Sequence, residues 1–168
     1  TITCSGVSKS YAMTGWRIGY TGSTPDIAAL MSSIQSHQTS NPCSISQAAA
    51  VEALNGPQYT VAEMHRAFDK RRKFIYKRVN EMPLVSAVEP KGAFYLFVDC
   101  SQVVGKEYKG KTIENAADMA AILIEDFKVA VVPCGDFGFD DHIRLSYATS
   151  TGEITKGLER IESFLNLL

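Results

Sequence analysis

The chain has 168 residues, 45% of them hydrophobic, and a formal net charge of −1, which is enough apolar material for a sizeable core in a soluble globular protein. Near-neutral charge argues against a dedicated nucleic-acid binder. No apolar run approaches the roughly 20 residues of a membrane span, and the N-terminus lacks the basic start and apolar block of a signal peptide.

Ile2 to Ser5 reads as a short strand and Ile18 to Gly22 as its return, both parts of a larger sheet. Thr24 is expected to cap a helix with Pro25 at its first position and Ile27, Leu30, Met31 and Ile34 as a core stripe. Thr39-Ser40-Asn41-Pro42 breaks that helix. The next is expected to start at Ser44 in a capping box with Gln47 and to end at Asn55-Gly56-Pro57. Thr60 and Glu63 predict the cap of a long helix with Met64, Phe68, Ile75 and Val79 inward. Its other faces are strongly basic, which reads as a solvated surface rather than a nucleic-acid site.

Val85 to Val88 and the continuous apolar run Gly92 to Val98 predict strands, the second of them buried in the core. Ser101 to Lys111 reads as a polar loop, and Thr112 as the start of a helix with Ala116, Ala120, Leu123 and Phe127 inward. Val129 to Val132 predicts a short buried strand and His142 to Tyr147 another. Ser150 and Glu153 cap a final helix whose buried stripe is Ile154, Leu158, Ile161, Leu165 and Leu168.

Cys4, Cys43, Cys100 and Cys134 contain no Cys-x-x-Cys pair, so reduced cytoplasmic thiols are expected and a metal site is not. Cys134 could act as a nucleophile with His142 as its base, but a packed thiol is the commoner fate of a free cysteine.

The most informative stretch is Gly6 to Tyr20, where Lys9 and Arg17 stand with no acid anywhere from Thr1 to Thr24. An amine able to form a Schiff base beside a guanidinium able to grip a phosphate describes a site for pyridoxal phosphate. A serine acyl-enzyme of the Ser-x-x-Lys type is excluded because position 6 is Gly6. Arg144, between Ile143 and Leu145 on an alternating strand, points away from their core. On composition alone its plainest reading is a salt bridge to an acid such as Asp140 or Asp141.

Gly6, Ser8, Lys9, Gly15, Arg17 and Gly19 fill the constrained positions of a pattern that resembles the lysine signature of class I, fold type I pyridoxal-phosphate aminotransferases. The wording Ala-Met-Thr-Gly-Trp-Arg-Ile-Gly looks most like the bacterial and plastid aspartate aminotransferase subgroup. Gly92 to Tyr95 and the Arg144 to Ala148 run resemble further segments of the same family.

The resemblance implies an α/β fold, α+β in the small domain, of which this chain is the C-terminal portion. Residues 1–70 would be the remnant of the large cofactor-binding domain with the start of a connecting helix, and 71–168 the small domain, the boundary lying near Phe68 to Tyr76. It implies that Lys9 is the catalytic lysine that holds the cofactor, that Arg17 binds the cofactor phosphate, and that Arg144 binds the substrate α-carboxylate.

Gly6 stands where some members carry a phosphate-binding hydroxyl, for which Ser8 is a candidate substitute; Ser40 and Asn41 become candidates for contacts to a neighbouring subunit. Cys134 departs from the family's usual glycine. Amino-acid and 2-oxo acid substrates, with aspartate a candidate among them, and a homodimer are implied, without nucleic acid or membrane. Carbon–sulfur lyases and an eliminating synthase share this scaffold. As an isolated piece, the chain is expected to be an inactive folded domain.

Overall fold

Two glycines face each other at the base of the loop that carries Lys9. In the computed structural model, which describes residues 1–168, β1 (Thr3–Gly6) pairs antiparallel with β2 (Gly19–Gly22), Gly6 opposite Gly19. A Cβ on Gly19 would stand 3.2 Å from the Ser5 carbonyl oxygen, so a side chain here would push the strands apart. The helices α1 (Pro25–Gln38), α2 (Ser44–Asn55) and α3 (Tyr59–Asn80) follow. The chain forms two compact units, Thr1–Met64 and His65–Leu168, with the division inside α3.

The first unit has a small core. Val7 and Met13 from the loop pack on Ala50 of α2, with Tyr11, Ile18, Ala49 and Ala53 around them. Several sequence expectations change here. The α1 stripe is not core, since Leu30 is 66% and Ile34 58% exposed; periodicity registers an apolar face but not what covers it. Thr24 precedes Pro25 as expected but makes no side-chain capping bond. Cys43, not Ser44, is the N-cap of α2, and Gln47 donates to the Pro42 carbonyl at 2.9 Å instead of closing a capping box. Thr60 already lies within α3. β1 and β2 form a two-stranded sheet, exposed along its length.

In the second unit, α3 buries Ile75 and Val79 and leaves its charges outward. Arg72 bonds Asp69 and Glu89, and Arg78 pairs with Glu81 and Glu162, so much of the basic face is neutralised within the fold. β3 (Ser86–Ala87) and β4 (Tyr95–Asp99) are shorter than the sequence implied. Next comes a hairpin, β5 (Glu107–Tyr108) and β6 (Lys111–Thr112), where a polar loop was expected. Lys109 at φ 50° and Gly110 at φ 77° form its turn, the two left-handed positions that tight hairpins require.

Thr112 is consumed by that hairpin, and α4 (Ala116–Glu125) starts instead after Asn115, whose side-chain oxygen accepts from the Ala117 and Asp118 N–H groups at 2.9 and 3.1 Å. Its buried residues are Ala116, Met119 and Leu123. β7 (Val132–Pro133) begins where the predicted strand ended, with Val132 exposed. β8 (His142–Ser146) and α5 (Thr151–Leu165) complete the unit.

The sheet order is β3-β4-β8-β7, antiparallel throughout. One face supplies Leu96, Val98, Ile143 and Leu145 to a core shared with Ile154, Leu158, Ile161, Phe164 and Leu165. The other face is open, because residues alternate across a strand. β4 is therefore half-buried rather than wholly internal as its composition implied. Ser150 caps α5 by accepting from the Glu153 N–H at 3.3 Å. Cys4 and Cys43 are exposed in the first unit, whereas Cys100 and Cys134 are buried in the second.

Candidate active site

The loop between β1 and β2 begins as a helical turn. The N–H groups of Tyr11, Ala12 and Met13 donate to the carbonyls of Val7, Lys9 and Ser8 at 3.1 to 3.2 Å. Burial of Val7 and Met13 presses both ends of this turn onto α2, leaving Lys9 on an exposed crest and Ser8 half-buried behind it.

A 3-10 turn, Thr14–Trp16, then delivers Arg17 in the left-handed conformation at φ 50°. That geometry is uncommon outside glycine and costs of order 1 kcal/mol unless the surroundings impose it. Two contacts impose it. The guanidinium of Arg17 donates through one nitrogen to the Thr14 carbonyl at 2.9 Å, and the Ser46 hydroxyl of α2 donates to the Trp16 carbonyl at 2.8 Å. Ser46 is the one buried polar side chain in the chain.

This donor set fits a phosphorylated aldehyde. It offers an amine for the aldehyde, and a guanidinium with further N–H donors for the phosphate, in a run with no carboxylate to compete before Asp26. Ser40, at φ 64°, and Asn41 sit in the exposed turn between α1 and α2, where Asn41 donates to the Pro42 carbonyl at 3.1 Å.

Arg144 lies in the second unit, on central strand β8, across from Phe97 of β4 and Val132 of β7 on the open face. Neither Asp140 nor Asp141 pairs with it. Asp141 instead meets His142 Nδ1 at 2.6 Å. The Arg144 guanidinium is over the Tyr95 ring at 4.8 Å and the Phe137 ring at 5.4 Å from their centroids.

The Cys134 and His142 nucleophile reading fails. Cys134 is fully buried, burial pushes its thiol pKa up, and its Sγ–H points to the Val132 carbonyl at 3.6 Å. Asp99, Asp141 and His142 do bring potential ligand atoms within 4.8 Å of one another, an arrangement of carboxylates and imidazole that sequence spacing did not reveal. Ser46, Tyr95 and Phe137 were missed as well. Strand alternation would place Tyr95 on the same face as Arg144, but nothing local in sequence ties Ser46 to a residue thirty positions earlier.

Taken with its solved neighbours, this is the C-terminal part of the α/β fold type I of pyridoxal-phosphate transferases. The family model for aminotransferase class I and II matches residues 1–161, and the chain belongs to that family. It is 48% identical over 162 residues to an aspartate aminotransferase of Rhizobium meliloti, covering 96% of this chain and 40% of that protein. A probable aspartate/prephenate aminotransferase of Rickettsia bellii is 46% identical, with 95% of this chain and 40% of that protein covered.

Among solved structures, the aspartate aminotransferase of Rhizobium meliloti superposes with a TM-score of 0.94 at 46% identity, over 99% of this chain and 42% of that one. An aromatic aminotransferase from Pyrococcus horikoshii gives a TM-score of 0.86 at 34% identity, over 99% and 43%. The chain thus spans about two fifths of the length of the relatives it matches. None of its helices is long and apolar enough to cross a membrane.

Proposed function

We propose that the complete protein to which this chain belongs is a pyridoxal-phosphate-dependent aminotransferase. It would move an amino group from an amino acid, with aspartate the first choice, to a 2-oxo acid. The observation that carries the reading is the β1–β2 loop, which holds Lys9 and a conformationally restrained Arg17 in an acid-free setting within a chain matched end to end by named aminotransferases.

The roles follow from the chemistry of each side chain. The bound cofactor would act as an electron sink for the substrate Cα–H bond. Lys9 Nζ would hold the cofactor through its aldehyde carbon and, as a free amine, would take the proton from the Cα of the amino donor and supply one to the Cα derived from the 2-oxo acceptor. Arg17 grips the phosphate, its backbone fixed beforehand by Ser46 and Thr14. Arg144 forms a bidentate pair with the substrate α-carboxylate. Residues 1–70 would belong to the cofactor-binding domain and 71–168 to the small domain, with a homodimer as the working assembly. On its own this part would be inactive, because the remaining three fifths of such an enzyme contributes to the site.

The test uses the complete protein. With aspartate, 2-oxo acid product should exceed one equivalent per cofactor only when an amino acceptor is supplied, and borohydride treatment should leave a cofactor mass on Lys9. Lys9→Ala should abolish turnover while the protein still takes up the cofactor. Sustained product formation beyond one equivalent per cofactor without any acceptor would show a lyase or eliminating enzyme instead, and a cofactor mass on another lysine would remove Lys9 from its role.

A further inference from the structure

An arginine on a central strand normally neutralises its charge with a carboxylate of the same fold. Arg144 is half-buried and does not. The acids nearest in the sheet are engaged elsewhere: Asp141 by His142 at 2.6 Å, and Asp99 by the Ser101 N–H at 2.8 Å. The Arg144 guanidinium contacts only ring faces, those of Tyr95 and Phe137. A ring attracts a cation over its face through the π quadrupole. It therefore holds guanidinium in place without consuming the in-plane N–H donors.

We propose that Tyr95 and Phe137 are positioning residues that fix the Arg144 guanidinium so that its hydrogen-bonding edge is presented, already oriented, to a substrate carboxylate. This rests on the reading of Arg144 given above and adds what holds it.

Both rings are themselves restrained. Tyr95 meets Phe94 edge to face, centroids 5.4 Å apart at 83°. Phe137 ends a 3-10 turn, Gly135–Phe137, whose first contact is the Phe137 N–H to the Cys134 carbonyl at 2.9 Å. Gly138, left-handed at φ 87°, closes that turn with a 2.8 Å bond to the Gly135 carbonyl. Buried Cys134 anchors the turn to the sheet through its N–H to the His142 carbonyl at 2.9 Å. An acid in place of the rings would compete with the substrate for the same donors. Aromatic faces provide attraction without that competition.

The experiment measures KM and kcat of the complete holoenzyme with amino donor and 2-oxo acceptor for Tyr95→Leu, Tyr95→Phe, Phe137→Leu and Arg144→Lys. Loss of one ring should raise both KM values roughly threefold to tenfold, with a much smaller change in kcat. Tyr95→Phe, which keeps the ring, should restore KM. Cofactor absorbance checks the folding of each variant, and Phe137, being 57% exposed, offers a change that leaves the core intact.

If Arg144→Lys raises KM tenfold or more while both leucine variants stay within twofold of the parent, the positioning role is overturned and the Arg144 assignment stands. If Arg144→Lys leaves KM unchanged, the carboxylate assignment falls, and this inference with it.

Discussion

Phe164 is the side chain on which the scaffold of the second unit should prove most dependent. It is 0% exposed on α5 and meets Tyr108 of the hairpin edge to face, centroids 5.6 Å apart, and Phe127 beyond α4 at 5.4 Å. Truncating it to alanine forfeits about 1.5–3 kcal/mol of transfer free energy. Each lost ring contact adds about 0.5–1.5 kcal/mol. The sum agrees with the roughly 3–5 kcal/mol found for buried phenylalanines in general. Phe164→Leu keeps most of the volume and loses chiefly the ring edges, so it should cost about 1.5 kcal/mol.

Against a total stability of about 5–15 kcal/mol, the alanine change is large. It acts on the same core that receives Ile143 and Leu145, the inward neighbours of Arg144 on β8. Urea unfolding followed by far-ultraviolet circular dichroism measures both variants. An alanine cost below about 1.5 kcal/mol, or equal costs for alanine and leucine, would refute the reasoning, because the first denies the burial and the second the ring contacts.

Two further outcomes are expected. Ser46→Ala removes the hydroxyl from the Trp16 carbonyl and should cost about 0.5–1.5 kcal/mol. Fluorescence of Trp16, the single tryptophan, reads this locally as a lower urea midpoint, and an unchanged midpoint counts against the hydrogen bond.

The second outcome concerns acid. Lys73 and Arg72 hold the Asp69 carboxyl below the usual range, the Ser101 N–H does so for Asp99, Lys109 for Asp126 and Lys156 for Glu153. Depressed carboxylate pKa values stabilise the fold above the unfolded pKa, near about pH 4, and that contribution is lost as pH falls through the lowered values. Melting temperature should therefore decline below about pH 4, and a rise on acidification would contradict the assignment.

What the sequence disclosed depended on whether the deciding contact was local. α5 was readable because Ser150 and its apolar stripe are contiguous signals and the core that receives the stripe belongs to the same unit. The α1 stripe was just as periodic yet lies exposed. The α4 start was misplaced because a threonine three residues upstream of Asn115 resembles a cap in sequence; the left-handed turn at Lys109 and Gly110 draws it into a hairpin.

At the candidate site, the spacing of Lys9 and Arg17 made them legible because both lie on one loop bounded by paired glycines. Half of the restraint on Arg17 comes from a helix thirty residues further along the chain, and the setting of Arg144 from a ring on another strand and a ring on a turn. Such contacts leave no periodic trace in the chain.

The distribution of cysteines has a practical consequence. The backbone N–H of Ser46, and after it that of Ile45, draws down the pKa of the exposed Cys43 thiol, whereas burial raises that of Cys100 to about 12. A thiol reagent applied briefly at neutral pH will thus mark the first 64 residues and spare the remainder. Any label that does arrive at Cys100 or Cys134 records a molecule whose second unit had opened, so alkylation followed by peptide mass counting gives that unit an unfolding clock of its own, with the prompt labelling of Cys4 and Cys43 as its internal reference.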